Sequence, residues 1–293
     1  MTVLIVGATG VVGPHVVDSL LAKGEPVRVL ARGPERARAL LPEGVDVVGG
    51  DPGSEADLSA AAEGAHSLFL LTPHDPGLTD LQLRVVRVLR RTGVRIVKLS
   101  GTGSAITPDG PLTCRQHWEV EQVLAASGQP HVVLRPNAFM QTLIDRIMLP
   151  AVQATGRIPN ALGTAGISLI DARDIGACAA EALTDTRWDG RTLVLTGPRS
   201  VTFKEIAVLV GERTGRPVDT VEVTPADVRR GLLERGAEPW EAEHFEEMYG
   251  LFREGRSEFV GDDVEHVLGR RPRTVEDYIA ALPGLAETTG DPA

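Results

Sequence analysis

The stretch Val3-Leu4-Ile5-Val6-Gly7-Ala8-Thr9-Gly10-Val11-Val12-Gly13 decides the fold of this chain. Its first four residues are apolar and mostly β-branched, which predicts a short buried strand. Three glycines follow at intervals of three residues. Apolar residues then recur at helical spacing, at Val16, Val17, Leu20 and Leu21. A strand, a glycine-rich turn and an amphipathic helix in this order are typical of a dinucleotide-binding βαβ unit.

Each glycine of the turn has its own predicted task. Gly7 allows the tight turn, Gly10 lets the backbone approach a pyrophosphate, and Gly13 lets the helix pack against the strand. The free N–H groups at the helix N-terminus and the positive end of its dipole then favour an anion. A glycine turn without a ligand is the alternative, and the flanking strand and helix argue against it. The predicted cofactor contacts in this turn are Gly7, Thr9, Gly10, Val11, Val12 and Gly13.

Composition limits the kind of protein. The 293 residues are 42% hydrophobic and 24% charged, which is the balance of a soluble globular chain. A formal net charge of −10 without any basic run argues against a nucleic-acid partner. Cys114 and Cys178 show neither metal-ligand spacing nor a redox motif. With no recognisable signal peptide and no apolar run long enough for a membrane span, we expect a cytoplasmic protein without a membrane partner.

Short β-rich runs alternate with helical patterns through the first half of the chain. After the first strand, further strands are predicted at 27–32, 45–48, 67–71, 95–99 and 131–135. This alternation predicts an α/β fold with a Rossmann-type, doubly wound parallel sheet. The second half is mostly helical in pattern and predicts a smaller C-terminal domain.

The predicted domain boundaries follow this change of pattern. Residues 1–155 are predicted to form the dinucleotide-binding domain, to which 171–197 return. Residues 156–170 and 198–287 form the substrate domain, and 288–293 form a flexible tail.

The residue after the second strand indicates which cofactor is bound. NAD-specific sites place Asp or Glu there, whereas this chain has Arg32, whose guanidinium suits a 2′-phosphate. Arg36, one helical turn further on, is a candidate second contact. NADPH is therefore the predicted cofactor, and a solvated Arg32 is the alternative. Asp51, after the third strand, is either a contact to the adenine edge or an ordinary turn residue.

The chain lacks the Tyr-x-x-x-Lys acid of short-chain dehydrogenases. Its only tyrosines are Tyr249 and Tyr278, and neither is followed by Lys at the fourth place. His117 and Glu121 occupy the equivalent i, i+4 positions of the predicted helix. His117 is a candidate general acid or substrate contact, or else a histidine without a chemical role. Because a quinone accepts a hydride without a positioned acid, conjugated acceptors fit this site better than simple ketones.

Several motifs together resemble the NmrA-like family of atypical short-chain dehydrogenases, which includes type 2 quinone oxidoreductases. The resemblance runs nearly end to end and rests on the glycine turn, Arg32, Leu99-Ser100-Gly101, His117 with Glu121, Leu134-Arg135-Pro136-Asn137-Ala138-Phe139-Met140, Ile170-Asp171-Ala172-Arg173-Asp174-Ile175, Leu195-Thr196-Gly197-Pro198 and the segment from Leu268 to Tyr278. The resemblance implies NADPH held by the glycine turn and Arg32, with the nicotinamide near Thr72, Pro73, Gly101 and 136–139. Asn137 is then either a hydrogen-bond partner of the substrate or nicotinamide, or a turn-stabilising amide.

An apolar site for a planar ligand is expected beside the nicotinamide, from Trp118, Phe139 and Met140. A stripe from Trp240 to Phe252, which includes Phe245 and Tyr249, is either core or a lid over that ligand.

The predicted function is that of an NADPH-dependent oxidoreductase for a small quinone-like or conjugated aromatic substrate. The richness in Arg, Ala and Gly is typical of high-GC bacteria, in which natural-product pathways are common, and it associates the chain with such a pathway. The chain is also a candidate to form a homodimer. No metal site is predicted. Two alternatives remain within the family, namely a non-catalytic NADP(H) sensor that acts through a protein partner, and an enzyme that couples aromatic units.

Overall fold

The structure, a computed structural model, describes residues 2–282. The predicted tail at 288–293 lies outside this range. The strands are β1 Thr2–Val6, β2 Val27–Ala31, β3 Asp46–Gly49, β4 Ala65–Leu70, β5 Arg95–Leu99, β6 His131–Pro136, β7 Arg157–Asn160, β8 Gly166–Ile167, β9 Thr192–Leu195, β10 Val201–Thr202 and β11 Asp219–Glu222. The α-helices are α1 Gly13–Ala22, α2 Pro34–Leu40, α3 Glu55–Ala61, α4 Leu78–Arg90, α5 Leu112–Ser127, α6 Leu149–Thr155, α7 Ala172–Thr184, α8 Phe203–Thr214, α9 Pro225–Glu234, α10 Pro239–Arg253, α11 Asp263–Leu268 and α12 Val275–Ala280.

Seven strands form one sheet in the order β3-β2-β1-β4-β5-β6-β9, and every neighbouring pair in it is parallel. The chain moves outward from β1 to β3 and then returns to β4 on the other side of β1. Ligands of doubly wound sheets bind at the carboxyl ends of the strands beside such a reversal. The predicted fold class is therefore confirmed, and the strands expected from the sequence lie within two residues of those observed.

The central strands are apolar because helices cover both faces of the sheet. On one face, Leu4, Leu68 and Ile96 pack with Val85 of α4 and Val120 of α5 in a single buried cluster. Elsewhere in the same unit, α7 packs against α1 at close range. A Cβ added to Gly176 of α7 would lie 2.6 Å from the backbone of His15, so glycine is what lets these two helices approach.

The described residues divide into two compact units. The first comprises 2–137, 172–195 and 261–271, and it contains the seven-stranded sheet. The second comprises 138–171, 196–260 and 272–282. Within residues 2–282, no helix is long and apolar enough to cross a membrane.

The second unit has its own core, and helices supply most of it. A π-helical segment, Gln141–Met148, leads into α6, and Ile144, Met148, Phe203 and Ile206 are among the residues of one buried cluster. Two small sheets were not anticipated, because two- to four-residue strands leave no readable alternation. They are the antiparallel pair β8 and β10 and the parallel pair β7 and β11.

The boundaries between the units differ from the predicted ones in two places. Residues 138–155 belong to the second unit, where Met140 N donates to Ile170 O at 2.9 Å and Phe139 bridges to Ile170. Residues 261–271 belong to the first unit, where Asp263 accepts from Val194 N at 2.6 Å and Arg270 pairs with Asp174 at 2.7 Å. These contacts join residues that are distant in sequence, which is why pattern alone assigned both segments differently.

Candidate functional site

The glycine turn has the tight geometry that its sequence predicts. Gly7 has a φ of +92°, which side-chain-bearing residues rarely adopt, and a Cβ on it would lie 2.3 Å from Leu71 O. A Cβ on Gly13 would lie 2.4 Å from both Gly7 O and the carbonyl carbon of Ala8. The turn therefore closes against the end of β4, and α1 begins directly on top of it.

Gly10 differs from the other two glycines because the space beside it is open. A Cβ added there would have only Gly7 O within 4 Å, at 3.9 Å, and Gly10 itself is exposed. Thr9 is also exposed, Val11 is half-buried and the side chain of Val12 is buried. At its N-terminus, α1 has no side-chain cap and no acidic residue in its first turn. Its first N–H groups therefore lack a side-chain acceptor, which suits an anionic ligand.

Two cations follow β2, as the sequence predicts. Arg32 is exposed immediately after the strand, and Arg36 is exposed on α2. Neither has a hydrogen-bond or ion-pair partner among the described residues, whereas nearby Arg38 pairs with Glu35 at 2.5 Å. An unpaired guanidinium at the end of the second strand of a doubly wound sheet fits a 2′-phosphate.

The two loops that follow β3 and β4 are held by local hydrogen bonds. Asp51 is exposed, and its carboxylate accepts from Gly53 N at 2.9 Å, which is the geometry of a turn aspartate. Thr72 is buried, and its hydroxyl oxygen accepts from Gln82 of α4 at 2.7 Å. This bond fixes Thr72 at the carboxyl end of β4 and leaves the hydroxyl hydrogen to donate. Pro73 beside it is exposed.

His117 lies on α5 and makes a contact that the sequence analysis missed. Its Nδ1 is 2.7 Å from Nζ of Lys98, a fully buried residue of β5, and the His117 side chain is itself 4% exposed. Burial lowers the pKa of Lys98 to about 7, while Glu121 raises it and Arg135 lowers it further. The position of Lys98 inside a central, otherwise largely apolar strand could have indicated such a contact from the sequence. An ammonium is costly to bury without a partner.

Glu121, one helical turn after His117, has two polar partners. Its carboxylate accepts from Ser100 Oγ at 2.5 Å and pairs with Arg135 of β6 at 2.5 Å. One polar cluster of the first unit, referred to below as the β5–α5 cluster, thus comprises four buried residues, Lys98, Ser100, His117 and Glu121, and the half-buried Arg135.

The β5–α5 cluster reaches the carboxyl end of β5 through Gly101. A Cβ on Gly101 would lie 3.7 Å from Cδ2 of His117, so this ring carbon is close to the residue that follows the strand. Asn137, just after β6, is 6% exposed, and its backbone N donates to Leu195 O at 2.9 Å. Trp118 is half-buried on α5.

The remaining predicted substrate contacts lie in the second unit. Phe139 is half-buried, whereas Met140 is fully buried in the core cluster of that unit. The prediction of Met140 as a substrate contact is therefore corrected, since its side chain is already enclosed by core residues. Phe245 and Tyr249, both on α10, line a cavity of about 260 Å³ inside the second unit.

This cavity is largely apolar. Phe203, Leu232 and Val228 are among its other lining residues, and two charged residues, Asp227 and Arg235, also line it. Burial raises the pKa of Tyr249 to about 12, so its hydroxyl stays protonated at neutral pH. The stripe on α10 thus divides in two. Phe252 belongs to the core, Tyr249 both packs against that core and lines the cavity, and Phe245 lines the cavity.

The residues of the first unit fit a nicotinamide dinucleotide. Open space beside Gly10, an uncapped helix N-terminus and the unpaired Arg32 match a pyrophosphate and a phosphorylated ribose. The glycine turn, which is closely packed at Gly7 and Gly13, follows β1 and lies at the point where the strand order reverses. The fold and this turn define a dinucleotide-binding protein of the doubly wound class.

Comparison with known proteins identifies the family. The model of the NmrA-like family matches residues 1–279, so the chain belongs to that family. An NAD(P)H azoreductase of Xenophilus azovorans is 31% identical over 280 residues, which is 95% of this chain and 97% of the relative. A (4-alkanoyl-5-oxo-2,5-dihydrofuran-3-yl)methyl phosphate reductase of Streptomyces griseus is 33% identical over 279 residues, 95% of this chain and 96% of the relative.

A solved structure agrees with this assignment at the level of fold. The NADPH-dependent quinone oxidoreductase QOR2 of Escherichia coli, crystallised with NADPH, superimposes with a TM-score of 0.85 at 24% identity. The match covers 95% of this chain and 99% of that chain.

Proposed function

We propose that this protein is an NADPH-dependent reductase of quinone-like or other conjugated aromatic acceptors. The observation that carries the proposal is the turn around Gly10, open to a pyrophosphate, with Arg32 unpaired beyond β2. Both relatives described above carry the name of a reductase, and the azoreductase is named for NAD(P)H.

The chain would hold NADPH by the glycine turn, the N-terminus of α1 and Arg32. Thr72 and Gly101 follow β4 and β5, where the nicotinamide of a doubly wound protein is expected. When bound, the cofactor supplies a hydride. The hydroxyl oxygen of Thr72 accepts a hydrogen bond from Gln82, so its hydroxyl hydrogen is left to donate. Thr72 can therefore orient a ligand by donating to it.

Two features of the chain and the names of its relatives support the proposed acceptor class. No Tyr-x-x-x-Lys pair is present, so the site is best matched to acceptors that delocalise the incoming charge. The cavity lined by Phe245 and Tyr249 is apolar and has room for an aromatic ring system. The named substrates of the two relatives, an azo compound and an oxo-dihydrofuran, are both conjugated.

An assay of NADPH oxidation tests this proposal. The purified protein is mixed with NADPH and a panel of quinones, azo dyes and conjugated lactones, with simple ketones as the contrasting class. We expect turnover with the conjugated acceptors and a primary isotope effect when the transferred hydrogen of NADPH is deuterium. Tight NADPH binding without turnover on any acceptor contradicts the reductase. The sensor alternative then requires a protein partner whose affinity differs between the NADPH-bound and NADP⁺-bound forms.

A further inference from the structure

We propose that Lys98 and His117 act as one proton-delivering pair, in which His117 protonates the acceptor and Lys98 restores the proton to His117. The inference rests on the proposed function and adds the proton donor to it. It also names a substrate class, namely acceptors such as azo compounds that need a proton when they receive a hydride.

Lys98 and His117 are in direct contact. Nζ of Lys98 and Nδ1 of His117 are 2.7 Å apart, and both side chains are buried. A lysine ammonium has only donors, so in its protonated form it donates to Nδ1. The ring then carries its own hydrogen on Nε2. Lys98 therefore selects the tautomer in which His117 can donate from the opposite nitrogen.

The position of the His117 ring bears on where its Nε2 hydrogen is directed. Cδ2 of the His117 ring would lie 3.7 Å from a Cβ on Gly101, just beyond the carboxyl end of β5. Nε2 is bonded to Cδ2 and belongs to the same edge of the ring. In the proposed pair, the hydrogen on Nε2 is directed toward the carboxyl end of the sheet, where the acceptor is expected.

The sheet neighbours of Lys98 are uncharged, since it pairs with Leu70 of β4 and Val133 of β6. From the other packed elements it faces His117 and Glu121 of α5 and Arg135 of β6. Glu121 is already paired with Arg135 and bonded to Ser100, so it does not hold the Lys98 ammonium by direct contact. Burial brings the pKa of Lys98 to about 7, which lets it release a proton at neutral pH.

The proposed step balances as follows for an azo acceptor. One nitrogen takes the hydride from the reduced nicotinamide, and the other takes the Nε2 proton of His117, which gives a hydrazo product. The Lys98 ammonium passes a proton to Nδ1 as Nε2 loses its own. After the product leaves, one proton from solvent restores the pair.

The experiment compares Lys98→Met, Lys98→Arg and His117→Gln with the wild-type protein on an azo dye and on a quinone. Lys23→Met is the matched control, because Lys23 is an exposed lysine paired with Glu181 in the same unit. We expect all three variants at the pair to lose roughly 100-fold or more in kcat on the azo dye and less than tenfold on the quinone. Arginine keeps the charge and the donor but cannot release a proton, so Lys98→Arg does not rescue the activity.

Two further readouts separate proton delivery from a structural role. The kcat of the wild-type protein on the azo dye should fall as the pH rises above about 7, and this fall should be absent in Lys98→Met. In the cofactor-free protein, the ¹⁵N signals of the His117 ring should change with pH near 7 in the wild type and lose this change in Lys98→Met. His117→Gln assigns these signals.

The outcomes distinguish the two proposals. Full activity of Lys98→Arg on the azo dye, or His117 signals that do not respond to Lys98→Met, overturns the proton-delivering pair while leaving the reductase intact. A wild-type protein that reduces no acceptor contradicts the proposed function, and the pair with it.

Discussion

At the residue scale, the arrangement of cations and glycines around the turn determines what the first unit can bind. Arg32 is exposed and unpaired, so its guanidinium is available to a ligand. Gly10 has open space beside it, whereas Gly13 is in contact with backbone. Two predictions follow from these differences.

The first prediction is that Arg32→Ala weakens NADPH binding and leaves NADH binding nearly unchanged. The variant loses a charge-assisted hydrogen bond worth about 1.5–3 kcal/mol, which corresponds to roughly 10- to 100-fold in Kd. Cofactor fluorescence titration measures both constants. Arg87→Ala, at an exposed arginine of α4 without a partner among the described residues, is the matched control. Equal losses for the two cofactors would show that Arg32 does not contact the 2′-phosphate.

The second prediction separates two glycines of the same turn. Gly13→Ala places a Cβ 2.4 Å from backbone atoms that cannot move freely, so it should destabilise the fold by about 1–3 kcal/mol or more. Gly10→Ala meets nothing within 3.5 Å and should change stability by less than about 0.5 kcal/mol. Because its methyl group points into the proposed phosphate site, Gly10→Ala should still weaken NADPH roughly tenfold or more.

Thermal unfolding and NADPH titration of both variants test this pair. Tight NADPH binding by Gly10→Ala would place the pyrophosphate elsewhere. Normal stability of Gly13→Ala would contradict the close packing of α1 on the turn.

At the element scale, the second unit depends on contacts between segments that are far apart in sequence. The π-helical segment Gln141–Met148 is tied to the C-terminal helix α12, since the Tyr278 hydroxyl donates to Asp145 at 2.6 Å. Tyr278 is also a member of the core cluster, so the helix α12 contributes both a polar and an apolar contact.

The third prediction is that Tyr278→Phe destabilises the protein by about 1.5–3 kcal/mol, because a hydrogen bond to a carboxylate is lost while the ring is kept. Tyr249→Phe is the matched control, since the Tyr249 hydroxyl has no hydrogen-bond partner among residues 2–282. Urea unfolding of both variants gives the comparison. A Tyr278→Phe protein as stable as the control would mean that the bond to Asp145 adds nothing net.

At the scale of the whole molecule, one buried lysine makes stability depend on pH. The pKa of Lys98 is about 7 in the folded protein and near 10.5 when the residue is exposed. Between these values the unfolded chain binds more protons than the folded one, so the free energy of unfolding rises with pH in this window. Below about pH 7 the cost of burying the ammonium is present in full.

The fourth prediction is that the wild-type protein gains stability relative to Lys98→Met as the pH rises. The expected gain between pH 6.5 and 9.5 is on the order of 3 kcal/mol, from the difference between the two pKa values. Denaturant unfolding of both proteins across this range measures it, and the other titrating groups cancel in the difference. Parallel stability curves would show that Lys98 keeps its ordinary pKa in the folded protein.

The fold class and the cofactor turn could be predicted from local patterns of residues. Glycine spacing and strand patterns are local, and they follow from backbone sterics and from the burial of parallel strands on both faces. The identity of the residue after β2, Arg32, is equally local. These features could therefore be predicted before any contact was known.

The polar cluster, the domain boundaries and the surroundings of Met140 depend on contacts that form only in the folded chain. The pairing of Lys98 with His117 joins a strand to a helix and depends on a distance that no sequence pattern encodes. The return of 261–271 to the first unit depends likewise on Asp263 and Arg270 meeting partners far away along the chain. The burial of Met140 could not be predicted from its sequence position either. Whether an apolar residue faces a ligand or the core depends on what packs around it. Side-chain chemistry can be read from sequence, whereas proximity between distant segments is set by the folded chain.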